Sequence, residues 1–332
     1  MVIVVVDRQG SSPGKQGFKM AVAGDGGLAG SIGGGVMEYQ MVELARKRLA
    51  EGEKGPLLKR QVHDPAAEAE RSGLICSGEQ THAFVLLQQK DLNTVEALCE
   101  AEERGLKGWL GIGPDGMSFS GEAPEVLSGI VPGTPAGSNP GSGAETPSGN
   151  NPWSGTETPS GIAWQKLSDA EWRYLEPVGE GPCLYVFGGG HVSVPMSQVF
   201  RMLGFRVVVL DDREGLNTME SNNFAHEKRL VDYRRAGDLF AGDGQTYVVI
   251  MTVSHATDQL ILGQMLGKPL KYLGMIGSRK KVQKIFDTLR AKGASDEQLK
   301  KVDSPMGLQI NSQTPEEIVI SIAAKVIQVK NE

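Results

Sequence analysis

Residues 183–213 read CLYVFGGGHVSVPMSQVFRMLGFRVVVLDDR. The apolar run Leu184 to Phe187, bounded by Pro182 and three glycines, predicts a strand buried on both faces, because a parallel strand covered by helices tolerates an unbroken apolar sequence. A glycine turn and a helix follow. A second apolar run, Val207 to Leu210, ends in Asp211, about 20 residues beyond the first glycine, which is the spacing of a dinucleotide-type βαβ unit. In such a unit the glycines let backbone N–H groups approach a phosphate, and the acid takes a ribose hydroxyl. Gly188 and Gly190 match the first two glycines of G-x-G-x-x-G, whereas Ser193 occupies the third place. These residues leave two readings open: a true dinucleotide site, or a doubly wound fold that receives some other phosphate.

Working outward, further strands are expected at Lys228 to Val231, Tyr247 to Thr252 and Tyr272 to Ile276, with helices at about 256–266 and 278–292. Ser295 with Gln298 forms a capping box, and Thr314, Pro315 and Glu317 open a last helix whose Ile318, Ile322 and Val326 share one face. The polar residues of this half gather where strands end. His191 follows the first strand, Asp211, Asp212 and Arg213 the second, Ser254, His255 and Asp258 a later one, and Gly277, Ser278 and Arg279 the last. In an open α/β sheet that carboxyl edge is where ligands bind. Either histidine alone reads as a capping or packing residue; both on one edge, with a carboxylate and Arg279, read as a ligand site. Arg279 offers a planar fork for phosphate or carboxylate, and Lys280 and Lys281 read as a solvated helix face.

The N-terminal half begins with a strand, Val2 to Val6, and a second at Phe18 to Ala23, followed by a hairpin turn at Gly24 to Gly27. The run GSIGGG, residues 30–35, feeds an amphipathic helix carrying Met37, Met41, Leu44, Ala45 and Leu49. N–H donors at the positive end of a helix dipole form an anion cradle; the plainer reading is a tight packing turn. Strands are expected at 57–63, 73–76 and 81–87, which sets Cys76 at a strand end beside Ser77-Gly78, where a thiol is reachable. Cys99 shares a helix face with Leu92, Val95 and Leu98 and is assigned to core packing, as is Cys183. A hairpin is expected around GPDG, residues 113–116.

Between these halves, residues 132–161 are dominated by Gly, Pro, Ser, Thr and Asn, and SGAETPSG at Ser142 recurs as SGTETPSG at Ser154. Two such copies have too little apolar surface for a solenoid and read as a flexible linker. The expected organisation is an N-terminal α+β domain (1–120), a linker (121–163) and a C-terminal Rossmann-like doubly wound parallel sheet (164–332). A net charge of −6 argues against a nucleic-acid partner. No apolar run is long enough to span a bilayer, and three cysteines without a CxxC pair fit a reducing, cytoplasmic compartment.

Eight segments then carry a resemblance. GSSP at Gly10, GSIGGGVMEYQ at Gly30, ICSG at Ile75, YVFGGGHVS at Tyr185, VVVLDDR at Val207, TVSHATD at Thr252, YLGMIGSRKK at Tyr272 and MGLQINSQTPEEIVISIAAKVI at Met306 together resemble the xanthine dehydrogenase accessory factor (XdhC/CoxI) family. The resemblance implies a chaperone without turnover that binds molybdenum cofactor, as molybdopterin or its dinucleotide form. Such a chaperone holds the cofactor for sulfuration beside a cysteine desulfurase and inserts it into a xanthine dehydrogenase-type hydroxylase. It implies cofactor contacts at Gly33, Gly34, Gly35, Glu38, Cys76, Gly188, Gly189, Gly190, His191, Asp211, Asp212, His255, Asp258, Ser278 and Arg279, with the Cys76 thiolate as a soft ligand for molybdenum. Ser77 departs from the family's usual Cys-Gly-Gly, and Thr252-Val253-Ser254-His255 stands where TRGH is common. An NAD(P)-dependent oxidoreductase and a nucleotide-sensing regulatory module stay open as alternatives. A homodimer is expected on general grounds.

Overall fold

The structure, a computed structural model, describes residues 1–53, 55–63, 78–121, 161–179 and 181–332. The chain divides into two compact units, Met1–Glu180 and Gly181–Glu332. The strand expected at 73–76, Cys76 itself and nearly all of the proline- and glycine-rich segment lie outside the described residues.

The first unit contains β1 (Val2–Gln9), β2 (Lys19–Val22), β3 (Leu28–Gly30), α1 (Gly35–Glu51), β4 (Leu57–Val62), β5 (Glu79–Val85), α2 (Leu92–Arg104), β6 (Gly108–Gly113), β7 (Gly116–Ser120), β8 (Ala163–Lys166) and β9 (Trp172–Val178). One antiparallel sheet has the order β3-β2-β1-β5-β4, the other β7-β6-β9-β8. The unbroken apolar sequence of β1 follows from burial on both sides: Ile3 and Val5 pack with Met37, Met41 and Ala45 of α1, while Val4 and Val6 pack with Leu110, Ile112, Trp172 and Tyr174 of the second sheet. A register shift between Val5 and Asp7 interrupts the β1–β5 ladder, with Val5 opposite His82 and Asp7 opposite Thr81.

Two expectations are corrected here. Ala163–Lys166 and Trp172–Val178 pair with each other, and β9 pairs with β6, so the second unit starts at Gly181 rather than at residue 164. Cys99 is exposed, because Leu98 and Ala101 set the inward side of α2 and the next residue lies about 100° further round a 3.6-residue turn.

The second unit comprises β10 (Cys183–Phe187), α3 (Ser193–Met202), β11 (Arg206–Asp211), α4 (Asn217–Glu220), β12 (Glu227–Leu230), β13 (Thr246–Ile250), α5 (His255–Met265), β14 (Tyr272–Met275), α6 (Arg279–Ala291), α7 (Asp296–Lys300), β15 (Val302–Asp303) and α8 (Pro315–Asn331). Its sheet is parallel throughout, in the order β12-β11-β10-β13-β14-β15, the doubly wound Rossmann arrangement with its switch point between β10 and β13. Alternation along β11 divides two cores: Val208 and Leu210 pack with Ile261, Leu262 and Ile285 on one face, Val207 and Val209 with Met196, Phe200, Ile322 and Val326 on the other. Ser295 and Thr314 both form their capping boxes. Cys183 is half-buried against the first of these cores, and burial pushes its thiol up to about 11. Among the described residues no helix is long and apolar enough to cross a membrane.

Candidate functional site

At the carboxyl edge of the parallel sheet, the loops after β11, β10, β13 and β14 lie side by side in that order. The turn after β10 is tight: Gly188 has φ 116°, its N–H donates to Leu210 O at 2.8 Å, and a Cβ there would meet Met251 O at 2.4 Å. Only glycine fits. A Cβ on Gly190, by contrast, would have nothing within 4 Å, so its small size leaves open space at the start of α3. Ser193, in the third-glycine place, is buried and donates to Gly190 O at 2.7 Å. Asn222 joins it to Ser197 in a buried polar network. The serine therefore braces the turn where a glycine would merely have made room.

Asp211 is 1% exposed and turned inward. Its Oδ2 accepts from Gly189 N at 2.7 Å and Arg213 Nη2 at 2.9 Å, and its Oδ1 from Arg213 N at 3.0 Å and Nε at 2.9 Å. Burial opposes its ionisation, but the guanidinium and these N–H groups outweigh burial and hold the carboxyl below its ordinary range. The residue expected to take a ribose hydroxyl is thus engaged in shaping the glycine turn. Asp258 is likewise internal, fully buried, with Oδ1 accepting from Thr252 N at 2.9 Å and Thr252 Oγ1 at 2.6 Å. Its Oδ2 pairs with Lys281, whose Nζ also donates to Ile276 O at 3.0 Å.

Lys281 corrects the sequence reading: it is an 11% exposed brace between the loops after β13 and β14, not a solvated lysine. Its position was a signal. A cation in the first turn of a helix opposes the dipole and calls for a nearby acid. Ser254 and Ser278 cap α5 and α6 by accepting from Thr257 N and Lys281 N. What the edge leaves exposed is His191, Asp212, His255, Ser278 and Arg279. The N-terminus of α3 has no side-chain cap. An uncapped helix start with histidines and an arginine beside it is a surface for a phosphorylated ligand.

In the first unit, three glycine-containing loops interlock. A Cβ on Gly14 would lie 2.1 Å from Ile32 O, one on Gly33 would lie 2.6 Å from Gly14 N, and one on Gly78 would lie 2.1 Å from Ser11 O. The backbones of GSSPG, GSIGGG and the residue after Ser77 therefore touch, which is why these separate motifs share small residues. Gln80, buried beneath them, donates to Gly14 O at 2.9 Å. The expected anion cradle at the start of α1 holds an anion of its own. Glu38 Oε2 accepts from Ser31 Oγ at 2.6 Å, Ile32 N at 2.8 Å and Gly34 N at 3.0 Å. Partial burial resists ionisation of Glu38, but the Ser31 hydroxyl and the loop N–H groups prevail and lower its pKa. Sequence reasoning missed Gly14, Gly78 and Gln80, because backbone-to-backbone contact leaves no periodicity.

The chain is similar to known proteins. The model of the XdhC and CoxI family matches residues 1–60, and that of the XdhC Rossmann domain matches residues 184–326; together they span more than half of the chain. Over 162 residues the chain is 34% identical to the uncharacterized protein YqeB of Escherichia coli K12, covering 48% of this chain and 29% of that one. It is 26% identical over 162 residues to a probable xanthine dehydrogenase component of Bacillus subtilis 168, covering 47% and 46%. The chain therefore matches less than half the length of either curated relative. A crystal structure of a xanthine dehydrogenase from Bacillus halodurans aligns with a TM-score of 0.64 at 24% identity, over 99% of this chain and 91% of that one, a likeness of fold. With both its glycine-loop N-terminal segment and its parallel-sheet unit matched, the chain belongs to the XdhC and CoxI family, and its second unit is that family's Rossmann domain.

Proposed function

We propose that this chain is a maturation factor that carries molybdenum cofactor as cargo for a xanthine dehydrogenase-type hydroxylase. The single observation that carries the reading is the outer face of the second glycine turn. Gly190 opens onto free space, α3 begins without a side-chain cap, and His191, His255 and Arg279 stand exposed on neighbouring loops. A phosphate or pyrophosphate end fits that donor set. Cys76 is the thiol of the chain that suits a soft metal. Sulfuration by a cysteine desulfurase is consistent with a carrier that presents the metal at a thiol.

A second reading, an NAD(P)-dependent oxidoreductase, is favoured by the strand order and by an acid ending β11. The inward commitment of Asp211 counts against it. The deciding experiment is elemental analysis and absorbance of protein purified from a molybdate-fed host that synthesises the cofactor. Molybdenum near one per chain, lost in Cys76→Ser, is the expected result. Retained NAD(P) without molybdenum would replace the proposal with the oxidoreductase.

A further inference from the structure

The first unit holds a cavity of about 700 Å³ lined by residues of β1, β4, β5 and β8, among them Asp7, Arg60, Glu79, Thr81, Trp164 and Lys166. It is unrelated to the glycine loops, and nothing described above uses it. The register shift in β1 brings Asp7 into its lining. With regular alternation Asp7 would follow Ile3 and Val5 onto the α1 side, but the shift sets it opposite Thr81, whose other partner across the ladder is Arg60. A bulge that re-aims one side chain is a feature of sites rather than of plain sheets.

The charges in the cavity are unevenly matched. Arg60 pairs with Glu79, and Lys166 with Asp169 at 2.6 Å. Asp7 has no cationic partner among the described residues, and burial followed by the nearby Glu79 charge raises its pKa, with the Arg8 N–H partly offsetting them. Both lining cations are therefore already paired, which selects against phosphate. A carboxyl and a hydroxyl side by side on one strand pair accept from two adjacent N–H donors. The indole of Trp164, half-buried against the core, supplies a flat apolar wall. These features together describe the edge and face of a planar heteroaromatic ring.

We infer that this cavity binds a planar ring bearing a 2-amino-4-oxopyrimidine edge, the chemistry shared by pterin and guanine, with its N–H groups on Asp7 and Thr81 and its face on Trp164. Assigning pterin as the source rests on the proposed cargo; the site itself does not. The test is calorimetric titration of the full chain with pterin-6-carboxylate, guanosine monophosphate and adenosine monophosphate, repeated on Asp7→Asn and Thr81→Val. Melting temperatures of both variants establish that they fold. The expected result is binding of pterin-6-carboxylate or guanosine monophosphate at least about tenfold tighter than adenosine monophosphate, weakened about tenfold or more in Asp7→Asn, which loses a charged hydrogen-bond partner, and about threefold or more in Thr81→Val, which loses a neutral one. The tighter of the two names the source. Equal affinity for adenosine monophosphate, or no binding of either ring, would overturn the site. Molybdenum content separates this inference from the proposed function. Wild type and D7N carrying equal molybdenum, with no ring binding, removes the site and leaves the carrier; Asp7-dependent ring binding by a wild type that carries none removes the carrier and leaves the site.

Discussion

Acid should weaken the first unit before any carboxylate chemistry of the ordinary range sets in, and His82 is the reason. It lies on β5, fully buried, and burial above all pushes its imidazole down from 6.5 to about 4, with the Lys59 backbone opposing the shift and the neighbouring His63 adding to it. The unfolded chain binds this proton below about pH 6.5 and the folded chain only below about pH 4, so stability present at neutral pH is lost as pH falls through that window. At about 1.4 kcal/mol per pH unit the loss is about 3 kcal/mol. His63, lowered chiefly by burial, works in the same direction. Asp7, raised by burial, works in the opposite one, because its protonated form is favoured in the folded state. Trp109, Trp153, Trp164 and Trp172 all precede residue 181, so tryptophan emission reports the first unit alone. Urea denaturation followed by that emission between about pH 7 and about pH 4.5 should show a falling midpoint at constant slope. His82→Gln should flatten most of the dependence. A wild-type midpoint that stays level across the window, or a pH dependence unchanged in H82Q, would refute the assignment.

Three further outcomes follow from the parallel-sheet unit. Lys281→Met leaves the buried Asp258 carboxylate without its cation and should cost about 3–5 kcal/mol, read as a lower urea midpoint by circular dichroism; a cost below about 1 kcal/mol would place the pair with ordinary surface bridges. Gly188→Ala should destabilise by about 2 kcal/mol or more, since its φ is 116° and a Cβ would press on Met251 O. Gly190→Ala should change stability by less than about 0.5 kcal/mol yet reduce retention of the proposed cargo, and equal melting losses in the two variants would remove the distinction between a structural and a ligand-facing glycine.

The parallel-sheet unit was legible because its information is periodic. Unbroken apolar strands, a glycine turn and capping boxes at Ser295 and Thr314 agree on a parallel, helix-covered sheet, whereas the acid ending β11 marked the strand's end without showing that Asp211 turns inward. The boundary at Gly181 was not legible, because Trp164, Trp172 and Tyr174 look the same whether they pack on one sheet or another; only pairing with β6 assigns them. Lys281 misled because a lysine beside two other cations looks solvated, and the acid that neutralises it lies on a different helix. Asp7 was invisible for another reason. Its side is decided by one irregular residue in the ladder, and a period-two pattern carries no mark of where it breaks.

Both glycine loops that sequence reading offers as phosphate receptors are already occupied by a carboxylate of the chain: Glu38 on the N–H groups of Ile32 and Gly34, Asp211 on that of Gly189. Each acid is held ionised by the groups it binds. A phosphate charge brought to about 4 Å from either would meet a repulsion of about 4 kcal/mol at an effective dielectric of 20, more than one backbone N–H returns. The inward N–H groups are thus spent on fixing loop shape, and anion affinity has to come from the outward ones. In the second unit those are the uncapped start of α3, with Arg279, which forms no ion pair among the described residues, on a loop nearby. In the first unit the N-terminus of α1 already has Glu38 in place, so a phosphate gains less there than at the uncapped start of α3.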